Sequence, residues 1–288
     1  MEWGPGYGMT ILSWDHHGTK GELFGFHPLV AAMGVFDGVH LGHKKLLQKP
    51  LDHARTNRGQ PWVITFDTNP ARMLNPEAYP GDIQSLNLKI ESLEQMGFAG
   101  VILLPFDQDF RNQESLVFLE RFMRWFPLDR LYVGENFHLG KYPGSTAQEL
   151  QDLFVKLGTQ IRVDITDLAN HNGTTVSSTI IRNTLLQGDL NHSNTLLGRP
   201  FRIDLRGIPL LRHGGIQGVL KKWTKQLLPQ TGTFTLTITG SLGTYDSEGW
   251  GTPEGFFWDQ CYSDQQWYWI DVHQSRNDKY LNEKIGMK

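Results

Sequence analysis

His40 and His43 lie three residues apart in the string Gly34-Val35-Phe36-Asp37-Gly38-Val39-His40-Leu41-Gly42-His43. Imidazoles at that spacing share one side of a helical turn. The string follows an apolar run, Leu29–Met33, and precedes a helix-like segment. A strand that turns through glycine into a helix start is a place where backbone holds phosphate, because the first N–H groups of the helix are unpaired and carry partial positive charge. The chemistry expected here is phosphate handling on a nucleotide. The ordinary alternative is a pair of surface histidines at a helix start.

A second cluster is Val176-Ser177-Ser178-Thr179-Ile180-Ile181-Arg182. Three hydroxyls precede a helix, with a guanidinium one turn on. Ser177 or Ser178 can serve as an N-cap. A cap uses one oxygen, and the remaining hydroxyls with Arg182 suit the trailing phosphates of a triphosphate. Two further strings follow strand-like runs. Thr65-Phe66-Asp67-Thr68-Asn69-Pro70 reads as a turn, since Asp, Asn and Pro are turn formers. In Gly134-Glu135-Asn136-Phe137-His138-Leu139-Gly140 the aromatic is either core or a wall for a flat ring, to which Asn136 offers donor and acceptor atoms.

The elements that must position these residues alternate. Strands are expected at 28–36, 62–66, 101–104, 131–133 and 161–165. Helices are expected at 41–58, 85–96, 114–126 and 146–157, and another from about Ser177. Leu86, Ile90 and Leu93 share one helical face, as do Leu116, Leu119, Phe122, Met123 and Phe126. Short continuous apolar strands between helices predict a parallel sheet covered on both faces, with ligands at the carboxyl ends of its strands. After about Gly198 the pattern changes. Five of the nine tryptophans lie there, and residues 231–239 alternate Thr or Gly with Phe234, Leu236 and Ile238, as a half-buried antiparallel strand does. The expected organisation is a Rossmann-like α/β domain over 1–187 and a small, mostly β domain over 188–288. The tail's aromatics fit a core, a flavin pocket or a subunit contact equally well.

Composition narrows the class. With 288 residues, 39% hydrophobic and 20% charged, the chain can bury a full core. A net charge of −3 without a dense basic run gives no reason to expect nucleic acid. Cys261 is the single cysteine, which fits a reducing compartment. Glu2, Asp15, His16 and His17 do not form a signal peptide, and no apolar stretch spans a bilayer. The reading is a soluble cytoplasmic protein with no membrane partner.

Taken together and in order, the four strings resemble the bacterial riboflavin kinase/FAD synthetase family, in its N-terminal adenylyltransferase module. The resemblance runs from about Met33 to Phe201 and includes Leu104-Pro105-Phe106 and Leu196-Leu197-Gly198-Arg199-Pro200-Phe201. It implies an FMN adenylyltransferase with ATP and FMN as substrates and Mg²⁺ alongside ATP. By the same resemblance, His40, His43 and Arg182 would be catalytic. Gly34, Phe36, Asp37, Gly38, Gly42, Ser177, Ser178 and Thr179 would join them around ATP, and Phe66, Asp67, Asn136 and Phe137 would lie near FMN. No protein metal ligand is implied. The family's C-terminal kinase module uses a G-x-P-T-x-N motif, yet this chain has no Pro-Thr dipeptide. Leu228-Pro229-Gln230-Thr231-Gly232-Thr233-Phe234 only weakly echoes the module's strand entry, and Asp271-Val272-His273 stands where a catalytic Glu is expected. The expectation is therefore a degenerate kinase-like barrel without riboflavin kinase activity. A fully bifunctional enzyme, a transferase for another phosphorylated acceptor and a non-catalytic flavin-binding regulator are the alternatives.

Overall fold

A computed structural model describes residues 8–14, 28–57, 59–141, 144–167, 170–171, 173–259 and 266–276. Glu2, Asp15, His16, His17, Arg58 and Cys261 lie outside the described residues. The chain divides into two compact units, Met1–Glu77 with Lys89–Asn170, and Ala78–Leu88 with His171–Lys288. Residues 78–88 and 171–187 group with the second unit.

The first unit is built on six parallel strands, β1 (Thr10–Ser13), β2 (Leu29–Met33), β3 (Gln60–Phe66), β4 (Gly100–Leu104), β5 (Leu128–Gly134) and β8 (Arg162–Thr166), in the order β1-β4-β3-β2-β5-β8. All five residues of β2 and of β4 are buried, as expected for strands covered on both faces. The helices are α1 (Leu41–Asn57), α2 (Pro70–Leu74), α3 (Leu86–Met96, which begins in the second unit), α4 (Gln108–Arg111), α5 (Ser115–Trp125) and α6 (Ala147–Lys156). A small antiparallel pair, β6 (His138–Leu139) and β7 (Ser145–Thr146), follows β5. The Rossmann-like expectation holds. Strand order advances from β2 through β3 to β4 on one side, and from β2 through β5 to β8 on the other. The reversal falls between β2 and β5, and the carboxyl ends of strands at such a switch point form the ligand crevice of open α/β sheets.

An aromatic column fixes one face of this sheet. Trp14, directly after β1, stacks on Phe118 at 5.1 Å and on Phe122 at 6.0 Å, and Phe122 meets Phe126 in a tilted contact at 4.7 Å. Phe118 and Phe122 lie four residues apart on α5 and so share a face. β1 was not expected from sequence. Its four residues, Thr10–Ser13, show no apolar–polar alternation, and its pairing with β4 identifies it.

The second unit contains a curled seven-stranded antiparallel sheet, a half-barrel. Its strands are β11 (Phe201–Asp204), β12 (Leu211–His213), β13 (Ile216–Leu220), β14 (Thr233–Gly240), β15 (Gly243–Gly251), β16 (Gly255–Asp259) and β17 (Trp267–Arg276), in the order β11-β17-β14-β15-β16-β13-β12. Register shifts between β14 and β17 mark bulges, which bend a sheet. The alternation expected in β14 is present, with Phe234, Leu236 and Ile238 buried. Trp258 and Trp267 are buried as well, so for these two the core reading holds. A short ribbon, β9 (Asn170–His171) with β10 (Thr174–Thr175), leads into α7 (Ser178–Leu186) and α8 (Leu190–Leu197). Among the described residues no helix is long and apolar enough to cross a membrane.

Candidate active site

The carboxyl end of β2 runs into a turn that ordinary residues avoid. Phe36, Gly38 and Val39 all have positive φ, at 50°, 85° and 39°. For a β-branched residue such as Val39 that is a true outlier, costing about 1–3 kcal/mol, and such strain gathers at ligand sites. Burial locks the turn, since Phe36, Asp37, Gly38, Val39 and His40 are all buried. Gly34 approaches the Phe36 ring so closely that an added Cβ would sit 3.0 Å from it.

The turn delivers His40 to the N-cap of α1. The His43 backbone N–H donates to His40 Nδ1 at 3.2 Å, so an imidazole does the work usually left to a hydroxyl. A ring that accepts through Nδ1 carries its proton on Nε2 when neutral. The two imidazoles stack with centroids 3.6 Å apart, and His43 meets Phe36 edge-on at 5.4 Å. His40 is 3% exposed, so its ring orientation is set by packing. The pair thus forms a fixed platform at a helix N-terminus, with Gly42 in the first turn.

The adjacent strand ends are tied to this turn. Gly34 N–H donates to Ile64 O at 3.1 Å, Thr65 Oγ1 donates to Val35 O at 3.0 Å, and Asn69 Nδ2 donates to Asp37 Oδ2 at 3.3 Å. Asn69 also caps α2 by accepting from Ala71 N–H. Sequence reasoning missed one residue here, Lys89 on α3. It is 8% exposed, and its ammonium donates to Phe66 O at 2.8 Å, Thr65 Oγ1 at 3.2 Å and Val35 O at 3.4 Å. The signal was present, because Lys89 falls on the same i, i+3, i+4, i+7 stripe as Leu86, Ile90 and Leu93, a face meant for burial.

Phe66 closes β3 and packs edge-on against Phe106 at 5.5 Å and Phe110 at 5.7 Å. Asp67 is exposed, with its N–H bonded to Leu104 O at 3.1 Å. Across the switch point, Asn136 and Phe137 form the turn after β5. Phe137 N–H donates to Gly134 O at 3.0 Å and its ring packs on the core, while Asn136 is exposed. The unit therefore gathers Gly34–His43, Phe66–Asp67 and Asn136–Phe137 at the carboxyl ends of three neighbouring strands. Among the described residues no group of three or more His, Cys, Asp or Glu is placed to hold a metal.

Ser177, Ser178, Thr179 and Arg182 belong to the second unit. Ser177 is the N-cap of α7, with Oγ accepting from Ile180 N–H at 3.3 Å. Thr179 is exposed. Arg182 lies over the Tyr79 ring at 5.0 Å, and it donates through Nε to Gly81 O at 3.1 Å and through NH2 to the Tyr79 hydroxyl at 3.2 Å. Those bonds fix the plane of its fork. Helix α7 is itself anchored. Thr184 and Ser193 join α7 to α8 by a buried hydroxyl pair at 2.8 Å. Asn194 then ties α8 to the sheet, donating to Val272 O and His273 O and accepting from Phe201 N–H.

Comparison with known proteins gives a consistent answer. A family profile described as FAD synthetase matches residues 26–180. The bifunctional riboflavin kinase/FMN adenylyltransferase of Bacillus subtilis is 31% identical over 72% of this chain and 63% of its own length. That of Pseudomonas fluorescens is 30% identical over 73% of this chain and 68% of its own. The chain thus spans a little under two thirds of the Bacillus relative. A crystal structure of a macrolide-efflux protein from Streptococcus pneumoniae matches 93% of this chain and 100% of its own at TM-score 0.73 and 18% identity, a likeness of fold alone.

Proposed function

This chain belongs to the FAD synthetase family, and on that premise we propose that it transfers the adenylyl group of ATP to FMN, releasing FAD and pyrophosphate. The observation that carries this reading is the stacked His40–His43 pair capping α1 at the sheet's switch point. The acceptor is the FMN phosphate, already ionised at neutral pH, so no general base is needed. One of its oxygens attacks the α-phosphorus of ATP, and the bond from that phosphorus to the β-phosphate bridging oxygen breaks. Two anions must meet, so positioning and charge stabilisation supply the catalysis.

In this reading His40, His43 and the N–H groups around Gly38 and Gly42 hold the α-phosphate region. By the family motif, Ser178, Thr179 and Arg182 are assigned to the departing pyrophosphate, with Ser177 capping the helix that carries them. The pinned Arg182 fork suits a phosphate acceptor. Phe66, Asp67, Asn136 and Phe137 border the FMN side. A Mg²⁺ ion would accompany ATP on the substrates' own phosphate oxygens, where it would neutralise charge. A cytoplasmic place of work goes with ATP and FMN as small-molecule partners. By motif, adenylyl transfer is assigned to 1–187, and 188–288 is a kinase-like region without kinase activity, because its G-x-P-T-x-N motif is missing.

The test is to incubate the purified chain with ATP, Mg²⁺ and either FMN or riboflavin and to separate the flavins by chromatography. FAD from FMN, with riboflavin unchanged, is expected. Tight flavin binding without FAD would replace this reading by the regulatory one, and FMN from riboflavin would overturn the loss of kinase activity.

A further inference from the structure

The adenylyl-transfer reading uses the two loops after β2 and β3 but leaves Lys89 without a task. A buried ammonium is costly unless oxygens surround it. Here the oxygens come from both loops at once. Val35 O belongs to the glycine turn, whereas Thr65 Oγ1 and Phe66 O belong to the end of β3. Thr65 Oγ1 also donates to Val35 O, so the ammonium and hydroxyl hold one carbonyl from two directions.

The consequence follows from peptide geometry. In a trans peptide the carbonyl and the next N–H point opposite ways. Drawing Val35 O toward Lys89 turns the Phe36 N–H away from Lys89, just where the backbone enters its left-handed stretch at Phe36. Drawing Phe66 O toward Lys89 turns the Asp67 N–H away, and that N–H is found on Leu104 O at 3.1 Å. One side chain on α3 therefore sets two peptide planes at the carboxyl ends of neighbouring strands.

We propose that Lys89 is a positioning residue for the adenylyl-transfer site, holding the glycine turn and the Thr65–Asp67 turn in the mutual register that binding both ATP and FMN requires. The proposal rests on the function proposed above. It gives a specific expectation for Lys89→Met, which keeps chain length and loses the ammonium. The KM values for ATP and for FMN both rise, and kcat/KM falls about 100-fold, the scale of a small misplacement in a preorganised site. Lys89→Arg, which restores a cation at the same place, recovers part of the loss. A residue that only filled the core would lower the folded fraction, and with it the apparent kcat, while both KM values stayed unchanged.

Three measurements keep this separate from the reading it rests on. FAD formation by the wild-type chain tests the reading alone. Binding of FMN by flavin-fluorescence quenching, and of ATP by calorimetric titration, tests Lys89 with or without turnover. Circular dichroism and thermal melting report whether each variant is folded. Weakened affinity for both ligands in folded Lys89→Met, partly restored in Lys89→Arg, supports the proposal. Unchanged affinity for either ligand in the folded variant overturns it, as does an unfolded Lys89→Met accompanied by a folded Lys89→Arg that binds no better than an unrelated protein.

Discussion

The starts of α1 and α7 perform the same structural task by opposite means. Both helices begin with a side chain that accepts the N–H three residues on. In α7 the acceptor is Ser177, whose backbone is ordinary extended chain and which, like Ser178, is half-exposed. In α1 the acceptor is the His40 imidazole, reached through three left-handed residues and buried to 3% exposure. Backbone strain of the kind seen at Phe36 and Val39 gathers at ligand sites, which an ordinary cap does not require. The α7 start has the reverse logic, with an ordinary cap followed by an arginine whose fork is fixed by Gly81 and Tyr79. One site is rigid because its backbone is forced, and the other because its side chain is held.

This contrast is most open to attack at His43. His43→Ala should slow FAD formation by about 100-fold or more, as when one preorganised donor is removed. Turnover near the wild-type rate would make the strained turn a structural device only. Arg182→Ala comes next. Losing one charge-assisted contact should raise the KM for ATP about tenfold or more, with a smaller change for FMN. An equal loss for both ligands would detach Arg182 from the polyphosphate.

Smaller effects sharpen the difference between the two starts. Ser177→Ala should cost about 1 kcal/mol in unfolding free energy, with Ser177→Gly milder. A denaturation midpoint equal to wild type in Ser177→Ala would show that the cap contributes nothing. The last prediction concerns the ordinary capping box of α6. The Thr146 backbone N–H, and then its hydroxyl, hold the Glu149 carboxyl below its usual 4.5. A depressed folded-state pKa stabilises above the unfolded value and is lost as pH falls through the folded one. The melting difference between wild type and Glu149→Gln should therefore be present at neutral pH and vanish in the acid range below 4.5. A difference that persists unchanged into acid would contradict the capping account.

Much of the first unit was legible because its elements are continuous apolar runs separated by turn formers. β2, the glycine turn and α1 were readable from Leu29 to Asn57, and with them the placement of His40 and His43. Less legible was what tertiary contacts decide. The left-handed Val39 follows from burial of its neighbours, which no propensity carries. Lys89 was passed over because a lysine on a helix ordinarily reads as solvent-facing, although its place on the 86–90–93 stripe marked it. Helix α8, at Leu190–Leu197, is framed by the Asp189 cap and the left-handed Gly198, both readable as loop signals around a segment with little apolar periodicity. Within the second unit, residues 78–88 are tied to the later chain by hydrogen bonds such as Asp82 N–H to Lys225 O and Leu227 N–H to Asp82 O. Nothing local in Tyr79-Pro80-Gly81-Asp82 announces them.

The most direct test follows the α-phosphorus itself. The chain is supplied with FMN and ATP labelled either at the α- or at the γ-phosphate. Label from the α position should appear in FAD and label from the γ position in pyrophosphate. A flavin carrying the γ label, or one that takes up neither, would contradict adenylyl transfer at this site.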